Sequence, residues 1–376
     1  MEERLTPPVL FEERAAPRGK RVGIATLNAE KSLNALSAEM IALLAERLPV
    51  WRDDPAIACI VLQGAGGKAF SAGGDIRRLY ESMRSCGGGE NPYAEKFFAD
   101  EYRLDYLIHT FPKPVLAWVH GIALGGGLGL MAGASHRVVT ERCRLAMPEI
   151  SIGLYPDVGA TWFLNRMPGR SGLYLGLTGA SLNAHDALFT KLADFFILEE
   201  RKSALFAELP AAPWEDDARA NRVLLSRLLR AHAARSRDAL PASNVRRHFD
   251  LIERVTDCDG VSEIAARLAV EPAEDPWIAN GGAALASGAP TSAHIVYELY
   301  RRAPRLSLKE ALMLEWNVSL QCVAHGDLRE GIRALIIDKD NRPRWTPATL
   351  AEVDRTRVAR HLAPPHGQRA NPLADL

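Results

Sequence analysis

Two glycine-bearing turns constrain this chain more than any other feature. GGKAFSAGGDIRRLY (Gly66 to Tyr80) and HGIALGGGLGL (His120 to Leu130) each follow a β-rich apolar run and precede a helical pattern. The runs are AIACIVLQG and PVLAWVHG, which read as buried strands. A strand that ends in glycines before a helix leaves N–H groups without intrahelical acceptors. Two such turns aimed at one point would offer a pair of donors to a developing oxyanion. The plainer reading is that glycine permits tight turns and close helix packing.

Strand and helix patterns alternate through the first two hundred residues. RVGIATLN reads as a strand, and Ser37 precedes a helix with Met40, Ile41, Leu44 and Leu48 at helical spacing. Ser37 has Met40 three residues on, so only half a capping box is expected. This alternation predicts an α/β fold with parallel pairing. From Arg201 to Val270 the chain reads as helical, broken at LPAAPWEDD and LPAS, with a further break at EPAEDPWIANGG. SLKEALMLEWNVSLQCV is an amphipathic helix with Leu308, Leu312, Trp316 and Leu320 at four-residue steps. The expected organisation is a core over 1–200, a helical insert or extension over 201–286, a C-terminal helical region over 287–362 packing on the core, and a flexible tail over 363–376.

Composition narrows the function classes. Forty-six Lys plus Arg balance forty-six Asp plus Glu, so bulk attraction to nucleic acid or membrane is not expected. The five cysteines are scattered without a CxxC pair, which argues against a disulfide scaffold or zinc site and for reduced thiols. MEERLTPPVLFEER is charged and lacks an apolar h-region, so a secretory signal is not expected and a cytoplasmic location is. Gly127-Leu-Gly129-Leu-Met-Ala132 fits G-x-G-x-x-A, but HGIAL separates it from its strand, which weakens a dinucleotide reading. There is neither a P-loop nor a G-x-S-x-G elbow, and the histidines lack metal-ligand spacing.

KAFSAGGDI, HGIALGGGLGL and AMPEISIGLYPDVGAT together resemble the crotonase (enoyl-CoA hydratase/isomerase) superfamily. FFADEYRLDY and HGDLREGIRALIIDKDNRPRW add a resemblance to its 3-hydroxyisobutyryl-CoA hydrolase branch. The resemblance implies a crotonase-like spiral of ββα turns with a largely helical C-terminal part, binding acyl-CoA thioesters. It places oxyanion-hole N–H groups at Gly74 and Gly126. It puts Lys31, in EKSLNAL, against the CoA pocket, and Ala72, Asp75 and Ile76 among the substrate-binding residues. A solvated lysine is the plain alternative for Lys31.

The acids separate the chemistries within the family. Two-acid hydratases carry a glutamate where this chain has Gly129, so only the second acid, Glu149, remains. Asp157 stands where hydratases commonly have glycine, and Glu101 matches a third acid linked to substrate binding in the hydrolases. The resemblance therefore implies a thioester hydrolase acting on 3-hydroxyisobutyryl-CoA or a related short β-hydroxyacyl-CoA in valine breakdown. Glu149 would be nucleophile or general base. Asp157 would orient water or the substrate hydroxyl. The rival readings are an enoyl-CoA hydratase or isomerase using Glu149 alone, and a non-catalytic acyl-CoA-binding protein. No metal or redox cofactor is expected, CoA being part of the substrate. No nucleic-acid or membrane partner is expected, and a homo-oligomer is left open. Without the resemblance, Glu149 could be a charge at a helix start, Asp157 an N-cap, and Glu101 part of a wet helix face.

Overall fold

The computed structural model describes residues 7–87, 90–271, 275–365 and 370–376. They fall into two compact units, each assembled from separate stretches of chain. The first comprises residues up to Gly74, Leu104–Leu145 and Leu182–Ser243; the second comprises Asp75–Arg103, Ala146–Ser181 and Asn244–Leu376.

The first unit carries strands β1 (Val9–Ala15), β2 (Arg21–Leu27), β3 (Ile57–Gly64), β4 (Ala69–Ser71), β5 (Val115–Val119), β6 (Ile122–Leu124), β7 (His136–Val139), β8 (Arg144–Ala146) and β9 (Phe195–Phe196). One sheet runs β1-β2-β3-β5-β7-β9, and a second, smaller one runs β4-β6-β8. β1 pairs antiparallel with β2, and the other pairs of the large sheet are parallel. Parallel strands need helical crossovers, which is why β3 and β5 are apolar along nearly their whole length. Ser37 caps the helix Ala38–Asp53 by accepting the Met40 N–H at 3.1 Å, and Met40, Ile41, Leu44 and Leu48 are its buried face.

The segment expected to be an insert is split. Residues 201–243 belong to the first unit, where the helices Lys202–Ala211 and Ala218–Ala234 cover the large sheet. Leu205, Phe206, Leu225 and Leu229 pack with Val22, Val61, Leu116, Trp118 and Val138. Residues 244–286 group instead with the second unit. The expected 1–200 core is likewise interrupted, since Asp75–Arg103 and Ala146–Ser181 belong to the second unit. Proximity in space, not continuity in sequence, sets these groupings.

The second unit is helical. Every residue of the helix Ser171–Thr178 is buried, because its small residues admit close neighbours. The break expected through EPAEDPWIANGG ends sooner than its glycines suggested; residues 272–274 lie outside the described residues. Asp275 caps a helix Pro276–Ser287 that includes Gly281 and Gly282. Gly281 is there for packing: a side chain would overlap the Tyr174 hydroxyl. The tail was expected to be flexible, but 370–376 are docked. Leu373 is fully buried, Asn371 donates to the Met313 carbonyl at 2.9 Å, and Arg103 pairs with Asp375 at 2.6 Å.

Candidate active site

The glycine turns belong to the first unit and leave neighbouring strands. β4 pairs in parallel with β6, Ala69 opposite Ile122 and Ser71 opposite Ala123. The turns that follow are thus brought side by side. Gly73 has φ +93°, and a Cβ there would lie 3.0 Å from the Leu124 carbonyl oxygen and 3.6 Å from the Gly126 nitrogen. Gly125, φ +46°, precedes the helix Gly126–Gly133. Gly127 lets that helix sit on β4, since a Cβ would come within 2.6 Å of the Ser71 carbonyl oxygen. Gly126 opens the helix, where N–H groups have no intrahelical acceptor. Neither its N–H nor that of Gly74 donates to a backbone acceptor among the described residues. Gly129 is buried inside the same helix, with no side chain to move a proton.

The remaining resemblance residues of this unit lie by these turns. Lys31 is exposed in the short turn Glu30–Ser32 and forms no ion pair among the described residues. The chain just after it is tied to the first glycine turn: Ala72 N–H donates to the Leu33 carbonyl at 2.9 Å, and Leu36 N–H to the Gly73 carbonyl at 2.8 Å. Asp75 and Ile76 open the helix Ile76–Cys86 of the second unit, where the Asp75 side chain caps by accepting the Arg78 N–H at 3.4 Å. That carboxylate is occupied by a structural bond.

The acids gather in the second unit. Glu101, Glu149 and Asp157 are 3%, 6% and 5% exposed. Glu101 stands on the helix Pro92–His109, and its burial rules out the wet-face reading. Glu149 begins the 3₁₀ turn Glu149–Ile152. That turn is braced by the helix Asp327–Ile332, from the HGDLREGI segment: a side chain on Gly331 would overlap the Ile152 backbone. Asp157 is not an N-cap; Gly159 holds that position before the helix Ala160–Leu164. Instead Asp157 Oδ2 accepts the Tyr102 hydroxyl at 2.7 Å.

Burial and mutual repulsion set the electrostatics. Glu149 is held well above the usual carboxylate range by burial first, then by Asp157 and Glu101. Glu101 is raised by burial and by Asp157. Burial lifts Asp157 to about 6, while the Tyr102 hydroxyl pulls it back by favouring the charged form. Glu149 Oε2 and Glu101 Oε1 are buried without a hydrogen-bond partner among the described residues. Buried acceptors left open at this cost are what a ligand hydroxyl or water would satisfy.

Four polar residues behind this cluster escaped the sequence reading: Tyr102, Tyr155, Glu315 and Ser319. Tyr102 adjoins Glu101 in FFADEY, and Glu315 and Ser319 lie four residues apart beside the apolar stripe of the helix Leu308–Ala324. A carboxylate and a hydroxyl flanking an apolar stripe were the available signal.

The profile of the enoyl-CoA hydratase/isomerase family matches residues 22–362. The chain belongs to that family. Among its relatives is the mitochondrial 3-hydroxyisobutyryl-CoA hydrolase of Homo sapiens, 35% identical over 354 residues, covering 94% of this chain and 88% of that one. The Xenopus tropicalis protein of the same name is 36% identical, covering 88% and 83%. 3-Hydroxyisobutyryl-CoA hydrolase 1 of Arabidopsis thaliana is 34% identical, covering 94% and 91%. Two solved structures are similar along nearly their whole length. An enoyl-CoA hydratase from Rhodobacter sphaeroides superposes with a TM-score of 0.82 at 34% identity, covering 95% of this chain and 97% of that one. A carnitinyl-CoA dehydratase from Mycobacterium thermoresistibile gives 0.84 at 34%, covering 96% and 98%. The crotonase-like α/β fold expected from the glycine and acid motifs is thus the fold of this family member. Among the described residues, no helix is long and apolar enough to cross a membrane.

Proposed function

We propose that this chain hydrolyses the thioester of 3-hydroxyisobutyryl-CoA, or of a related short β-hydroxyacyl-CoA, in valine breakdown. The buried trio Glu101, Glu149 and Asp157 carries this reading. Gly129 supports it, because a hydratase pair would need an acid there. The names of the human, frog and plant relatives support it as well.

In this reading the Gly74 and Gly126 N–H groups take the thioester carbonyl oxygen and stabilise its negative charge. Loss of one such donor costs about 10²–10³ in rate in other enzymes. Ionised Glu149 attacks the carbonyl carbon, the C–S bond breaks, and CoA leaves as a thiolate that takes up a proton; water then cleaves the mixed anhydride. Alternatively, Glu149 draws a proton from a water that attacks the same carbon directly. Asp157 orients the water or the substrate hydroxyl, and Glu101 bonds the acyl hydroxyl. Lys31, Ala72, Asp75 and Ile76 contribute to CoA binding, Asp75 through its backbone since its side chain caps a helix. The reaction so written calls on no metal or redox cofactor. The cysteines Cys59, Cys86, Cys143, Cys258 and Cys322 are free, which suits a reducing compartment such as the cytoplasm; the vertebrate relatives are named mitochondrial.

The enoyl-CoA hydratase reading is kept as the rival because a similar structure bears that name. Thiol release from 3-hydroxyisobutyryl-CoA and isobutyryl-CoA, run beside loss of enoyl absorbance from crotonyl-CoA, separates the two. A site that bonds a hydroxyl penalises the analogue lacking it, so kcat/KM should favour the hydroxy substrate by on the order of tenfold or more. Efficient hydration of crotonyl-CoA without thiol release from any short hydroxyacyl-CoA would overturn the hydrolase reading.

A further inference from the structure

The segment that carries Asp157 is held in an unfavourable backbone conformation. Val158, the next residue, has φ +53°. A β-branched side chain in the left-handed region is a genuine outlier and persists only where its surroundings over-determine it. The surroundings here are one buried carboxylate. Glu315, fully buried on the helix Leu308–Ala324, accepts the Gly159 N–H on Oε2 at 2.7 Å and the Thr161 N–H on Oε1 at 2.9 Å. Its two oxygens thus fasten the backbone immediately after Val158. The same helix fastens the segment on its other side, where the Tyr155 hydroxyl donates to the Glu315 carbonyl at 2.6 Å.

One turn further along the helix, Ser319 Oγ lies 2.7 Å from the Tyr102 hydroxyl and 2.9 Å from that of Tyr155. Both phenol protons are committed, Tyr102 to Asp157 and Tyr155 to the Glu315 carbonyl. The Ser319 hydroxyl is then free to donate to the Tyr102 oxygen, which strengthens Tyr102 as a donor to Asp157. One helix therefore reaches Asp157 twice, through its backbone and through its hydrogen-bond donor.

We propose that Glu315 is a positioning residue for Asp157: it clamps Val158 in its left-handed conformation and, with Ser319 and Tyr102, fixes the direction of the Asp157 carboxylate. The proposal rests on the hydrolase reading only for the step that Asp157 serves. Glu315 itself touches no reacting atom in this account.

The test uses the full chain with Glu315→Gln, Ser319→Ala and the double variant Glu315→Gln with Val158→Gly. The Gln amide cannot accept with its nitrogen, so one of the two N–H bonds is lost. Val158 is then free to leave the left-handed region and Asp157 moves with it. Misplacement of this kind costs rate more than binding, so kcat for thiol release should fall about tenfold or more while KM stays within about twofold. Glycine adopts the positive φ without penalty, so Val158→Gly should recover at least about threefold of the lost kcat. Merely structural damage would not be rescued by a more flexible residue. Hydrogen exchange of the peptide spanning Tyr155 to Thr161 should quicken in Glu315→Gln. Wild-type kcat in folded Glu315→Gln, or no rescue in the double variant, would overturn the proposal. If Glu315→Gln fails to fold, Ser319→Ala decides: a folded variant with reduced kcat upholds the proposal, and wild-type kcat overturns it. If the wild-type chain releases no thiol from any hydroxyacyl-CoA, the hydrolase reading fails by itself. The exchange measurement then still decides the clamp, since unchanged protection at Gly159 and Thr161 would refute it.

Discussion

The Tyr102 hydroxyl does most to favour the charged form of Asp157, with a smaller pull from the Asp157 backbone N–H. Removing that hydroxyl in Tyr102→Phe takes away the bond that favours the charged carboxylate, and burial still disfavours the charge. The carboxylate pKa must then rise further above about 6. If catalysis needs Asp157 ionised, the acid limb of kcat/KM for thiol release moves to higher pH in Tyr102→Phe. Among the described residues, the groups that feel the Asp157 charge, Glu101, Glu149, Glu315, Tyr102, Tyr155 and Cys322, carry negative charge or none, so they supply no compensating positive charge. A pH–rate profile of wild type and variant checks this; coincident acid limbs would show that another group, such as the Glu149 carboxyl whose ionised form the reaction needs, sets the limb. Glu149→Gln should cost about 10²–10⁴ in kcat whether Glu149 attacks or acts as base. An active Glu149→Gln would contradict both roles. These acids were legible in the sequence only as members of a family pattern. Composition and periodicity favoured a wet face for Glu101 and an N-cap for Asp157, because such statistics contain nothing about what a distant helix covers. Tyr102 and Glu315 were unreadable for the same reason: their partners lie 55 and 156 residues away.

At the scale of elements, the paired strands β4 and β6 do the work of alignment. Their parallel register sets the two glycine turns beside one another, and this fit leaves no room for a side chain at Gly73. Gly73→Ala would impose a side chain at φ +93° and press its Cβ to 3.0 Å from the Leu124 oxygen. Strain of this kind costs about 1–3 kcal/mol. The variant should melt several degrees lower and lose thiol release beyond what unfolding accounts for, since the neighbouring N–H donors shift. Thermal melting and kcat measured well below the transition test it; a variant matching wild type in both would show that the turns have slack. The strands β2, β3 and β5, the Ser37 cap and the helix at Leu308–Ala324 were readable because each depends on short-range periodicity and capping chemistry. The break at EPAEDPWIANGG was read too long because glycine serves turns and helix contacts alike. Only the Tyr174 hydroxyl opposite Gly281 tells which use applies.

For the whole molecule, a cluster of buried acids sets a cost that varies with pH. A carboxyl whose pKa is raised on folding binds its proton more tightly in the folded chain. Its contribution to stability is full below the unfolded pKa and is lost as pH rises through the folded value. For Asp157 that window runs from 3.8 to about 6, and for Glu315 from 4.5 to about 8. Glu101 and Glu149 shift in the same direction. Buried histidines oppose this trend at lower pH: His361, for one, is pushed down to about 4, so it gains stability as pH rises toward 6.5. Above pH 6.5 that opposing contribution is spent, and the carboxyls dominate until the buried cysteines begin to count near pH 9. Between about pH 6.5 and 8.5, each carboxyl still protonated when folded and ionised when unfolded should remove about 1.4 kcal/mol of stability per pH unit. Glu149→Gln deletes one buried carboxyl while keeping its shape, so wherever Glu149 is protonated in the folded chain and ionised in the unfolded one, the variant's stability should fall less steeply with pH than that of wild type. A shallower fall of this kind in an inactive variant is the expected trade when a site holds charge away from water. Urea unfolding midpoints of both proteins across the range give the two slopes. Parallel slopes over that range would show that Glu149 is already ionised there in the folded chain, as its part in thioester cleavage requires.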